Sequence, residues 1–160
     1  MNSEKKLKVL MVCLGNICRS PLADGVLRNK VVRHGLNVIV DSCGTSGYHA
    51  GELPDERMMK TASRHGYDLS YLRSRQFVKS DFNNFDVIYV MDASNYNNVI
   101  KLASNDHEKA KVKMFLSELS PGSNMAVPDP YFGGDQGFED VFDLIDRTTD
   151  VIIQKLKSER

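Results

Sequence analysis

Cys13 and Arg19 are separated by Leu14, Gly15, Asn16, Ile17 and Cys18. A thiol and a guanidinium at that spacing fit on one turn and can both face its centre. The turn follows a short apolar run, Val9 to Cys13, and precedes Ser20-Pro21, a pair suited to opening a helix. Backbone N–H groups in such a strand-to-helix turn point inward, and the helix start adds partial positive charge. Gly15 and Asn16 are residue types that tolerate left-handed backbone. The turn is thereby a cradle for a tetrahedral dianion. In that field Cys13 is expected to favour its thiolate form, a nucleophile toward phosphorus. Arg19 offers a planar fork to two phosphoryl oxygens. The turn is not a Walker loop, which needs Gly-Lys-Ser/Thr, nor a dinucleotide turn, which needs Gly-x-Gly-x-x-Gly.

The flanking sequence supplies the elements that must hold this turn. Val9 to Cys13 is short and continuously apolar, as a strand buried on both faces should be. Leu22, Val26, Leu27 and Val31 follow at helical spacing, and Arg33-His34-Gly35 is a helix stop. Asn37 to Asp41 predicts a second strand, Pro54 to Gly66 a second helix ending on Arg64-His65-Gly66, and Asp86 to Met91 a third strand. A helix from about Ala93 to Leu102 and a strand from Val112 to Leu116 come next. After a loop rich in proline and glycine, a closing helix carries Phe138, Val141, Phe142, Ile145, Val151, Ile152 and Leu156. Alternating strands and helices predict a single α/β domain over residues 1–160. Its core is a four-stranded parallel sheet with helices on both faces. Ligands of such sheets bind beyond the carboxyl ends of the strands, where Cys13 falls.

Composition narrows the function classes. In 160 residues, 21 Lys and Arg balance 21 Asp and Glu, so neither nucleic-acid binding nor acidic disorder is expected. An apolar fraction of 41% suits a globular domain that needs no disulfide or structural metal. The cysteines are Cys13, Cys18 and Cys43, an odd set that points to a reducing compartment. The apolar stretch near the start is shorter than a secretory h-region, and no run is long enough to span a membrane. A cytoplasmic protein is expected, with no membrane partner. His34, His49, His65 and His107 are too scattered for metal-ligand spacing, so no metal and no cofactor are assigned.

Cys-Leu-Gly-Asn-Ile-Cys-Arg-Ser-Pro at a strand–helix junction resembles the signature of the low-molecular-weight protein tyrosine phosphatases. The resemblance runs from about Lys8 to Lys157. It includes Met91-Asp92-Ala93-Ser94-Asn95 after the third strand and Asp129-Pro130-Tyr131 where that family has its general-acid loop. It implies that Cys13 becomes a phosphocysteine and that Arg19 binds phosphate together with backbone N–H groups from Leu14 to Arg19. It further implies that Ser20 donates to the Cys13 sulfur and that Asp129 is the general acid and base. Asn16 and Ser42 would brace the loop, Tyr48 and Tyr131 would flank the substrate ring, and Asp92 would organise the site edge. The implied partner is a tyrosine-phosphorylated protein. Two positions depart from the pattern: Leu72 stands where the family often has a loop-bracing histidine, and Phe132 where a second tyrosine is frequent.

Neighbouring chemistries fit less well. Thiol-dependent arsenate reductases share the loop but relay a disulfide through downstream cysteines, and none follows Cys43. Protein arginine phosphatases carry threonine at the position of Ile17, whose apolar side suits an aromatic ring better than a guanidinium. A phosphate-binding module without catalysis would not need both Cys13 and Asp129. Cys18 has two readings, a disulfide partner protecting Cys13 from over-oxidation or a small packing residue beneath the loop.

Overall fold

Val9, Met11 and Cys13 alternate with Leu10 and Val12 along the first strand, β1 (Leu7–Cys13), and the two sets enter different apolar clusters. Both faces of β1 are thus covered, which is why its sequence is continuously apolar. In the computed structural model, which describes residues 6–130 and 133–159, the chain continues as α1 (Arg19–Arg33), β2 (Val38–Gly44) and α2 (Glu56–Arg64). Next come α3 (Asp81–Asn84), β3 (Val87–Val90), α4 (Ala93–Ile100), α5 (Asp106–Lys109), β4 (Val112–Met114) and α6 (Gly134–Ser158). The strands are parallel in the order β2-β1-β3-β4, as the alternation of elements predicts. Buried residues of α1, α2 and α6 join one face of β1, and Phe82 and Val99 from α3 and α4 join the other. No helix among the described residues is long and apolar enough to cross a membrane.

The register places the site. Cys13 pairs with Gly44 and Val12 with Val90, so the ends of β1, β2 and β3 lie side by side. Helix α1 leaves directly from the loop after β1. It is held against α6 by the buried Lys30 ammonium, which donates to the Asp146 carboxylate at 2.7 Å, the Asp146 carbonyl at 2.9 Å and Thr149 Oγ1 at 2.8 Å. Gly35 ends α1 with φ +63, the left-handed turn that the Arg-His-Gly stop predicts.

Three local expectations are corrected. Ser20 does not cap α1. The helix begins at Arg19 with Cys18 in the cap position and no side-chain cap, because the Ser20 hydroxyl is engaged by the site instead. The second helix starts later than Pro54, at Glu56, because Asp55 caps it by accepting from the N–H groups of Arg57 and Met58. The fourth strand stops at Met114, and Phe115–Glu118 winds into a 3-10 turn. Phe115 and Leu116 are consecutive and both buried, which a strand's alternation cannot provide on one face.

Candidate active site

The loop from Cys13 to Arg19 turns at Asn16, whose φ of +56 is left-handed; Gly15 does not adopt that region. An asparagine bears this conformation at small cost because its side chain bonds locally. Here both ends of the Asn16 amide are used. Oδ1 accepts from the Arg75 N–H at 3.0 Å, and Nδ2 donates to Ser20 Oγ at 2.8 Å and Ser42 Oγ at 3.1 Å. Asn16 and Ser42 do brace the loop.

Five of the loop carbonyls are taken by other groups. Cys13 O accepts from Thr45 N, Leu14 O from Ser46 N, Gly15 O from Ser74 Oγ, Ile17 O from Asp55 N and Cys18 O from Leu22 N. By contrast, no N–H from Leu14 to Cys18 donates to another described residue. A loop whose acceptors are mostly spent and whose donors are not is complementary to an anion. The loop also lies so close to β2 that a Cβ on Gly44 would sit 2.6 Å from Leu14 O and 3.1 Å from Asn16 N. Glycine is therefore required at the end of β2 for the loop to seat.

Cys13 is buried at the floor, with Sγ 3.0 Å from Ser20 Oγ. Arg19 is also buried, and its Nη1 donates to Asp92 Oδ2 and to Val127 O, each at 2.9 Å. Nε and Nη2 have no acceptor among the described residues, so the fork is anchored at one corner and open along its other edge. Asp92 serves two elements at once, since its Oδ1 accepts from Asn95 N at 2.8 Å and caps α4. Val127 N donates in turn to Met91 O at 2.8 Å, tying the loop that carries Asp129 to the end of β3.

Cys13, Leu14, Gly15, Ile17, Cys18, Arg19, His49 and Asp129 line one narrow cleft of about 160 Å³. The structure thus brings Asp129 to Cys13 and Arg19 across most of the sequence. Leu14 stands half exposed at the rim and Ile17 is partly buried. Tyr48 does not line the cleft. It is exposed and packs edge-on against His49, with ring centroids 5.2 Å apart. Tyr131 and Phe132 lie outside the described residues. Burial, with Asp55 nearby, pushes the Cys18 thiol far up, so it stays protonated at neutral pH.

Three participants were not anticipated. His49 lines the cleft, its ring 3.1 Å from where a Gly15 Cβ would be, and its Nδ1 lies 3.0 Å from Glu52 Oε1. Ser74 bonds the loop with a hydroxyl, while Leu72 is buried in the core. Arg75, which offers its N–H to Asn16, is fixed between Asp41 at 3.1 Å and Asp81 at 3.0 Å. The segment pairs alongside the end of β2 through the parallel bridge of Gly44 with Gln76. Only sheet pairing could have disclosed these positions, since none adjoins the loop in sequence.

Comparison with known proteins agrees with this geometry. The family model described as low molecular weight phosphotyrosine protein phosphatase matches residues 8–160. The enzyme of that name from Schizosaccharomyces pombe is 43% identical over 86% of this chain and 89% of its own length. The one from Homo sapiens is 39% identical over 97% and 99%. Among solved structures, a protein tyrosine phosphatase from Entamoeba histolytica superposes with a TM-score of 0.88 at 39% identity, covering 96% of this chain and 98% of that one. On both sequence and structure, the chain belongs to the low molecular weight phosphotyrosine protein phosphatase family.

Proposed function

We propose that the chain hydrolyses phosphotyrosine in protein substrates by two successive transfers at phosphorus, with Cys13 as the nucleophile. The observation that carries this reading is the loop's polarity: the carbonyls of Cys13, Leu14, Gly15, Ile17 and Cys18 are taken by other groups, and its N–H groups from Leu14 to Cys18 find no acceptor among the described residues. A phosphoryl group in the cleft takes up those donors together with Nε and Nη2 of Arg19. Charge developing on its oxygens is then met by donors already in place. The Cys13 sulfur attacks phosphorus, the bond from phosphorus to the tyrosine oxygen breaks, and Asp129 gives the departing oxygen a proton. Asp129, now a carboxylate, takes a proton from the water that attacks the phosphocysteine. The sulfur–phosphorus bond breaks, its electron pair returns to Cys13, and Ser20 donates a hydrogen bond to the released thiolate. Inorganic phosphate leaves.

Selectivity for an aryl ester follows from depth. Cys13 lies at the floor of a narrow cleft, with Ile17 in the wall and Leu14 at the rim. A phenyl phosphate spans that depth, and a phosphoserine side chain is shorter. Tyr48, which packs on the cleft-lining His49 from outside the cleft, and Tyr131 are assigned to flanking the substrate ring only because the family resemblance implies it. A reducing, cytoplasmic setting suits a catalytic thiol. The test is phosphate release from matched phosphotyrosine, phosphoserine and phosphoarginine peptides, with acid-quench trapping of phosphate on Cys13. Selective turnover of phosphotyrosine with a trapped phosphocysteine is expected. Comparable turnover of phosphoserine, or preference for phosphoarginine, overturns the assignment.

A further inference from the structure

Asp129 stands between two prolines, in the run Val127-Pro128-Asp129-Pro130. Burial changes sharply along this run. From Pro121 to Ala126 the chain is exposed, Val127 is buried at 1% exposure, Pro128 and Asp129 are exposed again, and Pro130 is buried. The segment is therefore pinned to the body of the protein on either side of Asp129. At the first pin the Val127 side chain joins the apolar cluster that also holds Cys13 and Met91. Its N–H donates to Met91 O at 2.8 Å, and its carbonyl accepts from Arg19 Nη1 at 2.9 Å. At the second pin Pro130 O accepts from Gly133 N at 2.9 Å, beside the start of α6. A Cβ on Gly137 would sit 3.5 Å from Pro130 O, so the first turn of α6 lies against this pin.

Pins alone do not place Asp129, because the dihedrals between them must also be fixed. Pro128 fixes them. Its ring locks its own φ near −65° and bars the residue before it from helical backbone. Pro130 restricts Asp129 in the same way. The direction of the Val127 carbonyl is thus set by the ring that follows it, and this is the carbonyl that meets Arg19. Arg19 Nη1 is spent on Asp92 and Val127 O, which leaves Nε and Nη2 for a phosphoryl group. The guanidinium is planar and rigid, so turning one edge turns the other.

We propose that Pro128 is a positioning residue of the active site: by holding the Val127 carbonyl toward Arg19 and restricting the backbone up to Asp129, it sets the general acid and the phosphate-binding arginine in register. The proposal deepens the phosphatase reading and rests on it for the roles of Asp129 and Arg19. Pro128 is exposed, so its ring contributes conformation rather than core packing. A phosphoryl group along the open edge of Arg19 fixes the guanidinium, and the guanidinium then holds Val127 and the strut that carries Asp129. Phosphate binding and acid placement therefore favour one another, and loosening the strut weakens both.

Pro128→Ala and Pro128→Gly free the backbone in two steps without removing a side chain from the core. The measurements are kcat/KM on a phosphotyrosine peptide and on aryl phosphates of falling leaving-group pKa, inhibition by inorganic phosphate, and thermal unfolding. The ratio kcat/KM reports phosphoryl transfer to Cys13 without the later hydrolysis. In Pro128→Ala the most activated aryl phosphate is expected to lose about threefold, the partial loss of one hydrogen bond to Arg19, and phosphate inhibition to weaken by the same factor. The phosphotyrosine peptide is expected to lose about fifteenfold. Its excess of about fivefold is a small part of the ~10²–10⁴ that general acid catalysis supplies. Pro128→Gly should enlarge every effect, with unfolding still close to the parent's. In an Asp129→Asn background, Pro128→Ala should cost about threefold on all substrates, because the acid it placed is gone while Arg19 remains. A parent that releases no phosphate from the peptide sinks the phosphatase reading and this proposal with it. With an active parent, three results overturn the proposal alone: unchanged kcat/KM in both variants, a loss of equal size on every leaving group, or a fifteenfold peptide loss that persists in the Asp129→Asn background.

Discussion

Replacing Asp92 by asparagine removes one charge and changes almost no volume, so it isolates what holds Arg19. In the structure Asp92 Oδ2 accepts from Arg19 Nη1 at 2.9 Å while Oδ1 accepts from Asn95 N at 2.8 Å. An amide has a single oxygen. It can cap α4 or accept from Arg19, and the role it gives up is met by an N–H₂ facing another donor. A hydrogen bond between charged groups contributes about 1.5–3 kcal/mol, and burial of the guanidinium favours the upper part of that range. Asp92 is 25% exposed, which lets water replace part of the loss, and Val127 O still holds the same Nη1. About 1.5–2.5 kcal/mol is therefore expected to be lost, or roughly 10- to 70-fold in kcat/KM. Because Arg19 meets phosphate in the ground state as well, the inhibition constant for inorganic phosphate should weaken alongside. The assay is kcat/KM on a phosphotyrosine peptide, with phosphate inhibition and thermal unfolding measured on the same preparations. A loss under twofold refutes the claim that Asp92 orients Arg19. A large loss in kcat/KM with unchanged phosphate affinity refutes the ground-state part of the argument.

Gly44→Ala places a methyl group 2.6 Å from Leu14 O, so the loop must move; about 1–3 kcal/mol of stability and at least tenfold in phosphate affinity should be lost, and unchanged values for both in denaturant unfolding and inhibition assays sink this account. Asp129→Asn should lose most activity with poor leaving groups such as tyrosine phosphate and least with activated aryl phosphates. The measurement is rate against leaving-group pKa, and a dependence no steeper than the parent's removes Asp129 as the acid. Peroxide should inactivate the enzyme through Cys13, with recovery on thiol addition much less complete in Cys18→Ser; equal recovery in both proteins leaves Cys18 as a packing residue. Because the Asp24 carboxyl is raised from an ordinary 3.8 to about 6, the folded state binds its proton more tightly than the unfolded state does. Its contribution to stability therefore falls as pH rises from about 4 through 6 and is flat above. Relative to Asp24→Asn, the parent should gain about 1.4 kcal/mol between pH 7.5 and pH 5 in urea unfolding, and no gain contradicts the shift.

The parts of the site legible in the sequence are those whose partners are local. Cys13, Arg19, Asn16 and the glycine-bearing turn lie in one short stretch, and strand-to-helix geometry follows from the apolar run before it and the helix after it. Asp129 could be placed only through the resemblance, because nothing near it in sequence points to Cys13. Ser20 shows where local rules mislead. Its type predicts a helix cap, but a hydroxyl lying 3.0 Å from sulfur and 2.8 Å from an amide is claimed by tertiary neighbours that no local pattern contains. Gly44, His49, Ser74 and Arg75 were illegible for a related reason. Each matters only because β2 pairs with β1 and thereby sets the following residues against the loop. For Leu72, absence of a histidine did not leave the loop unbraced. The Ser74 hydroxyl donates to Gly15 O and the Arg75 N–H to Asn16 Oδ1.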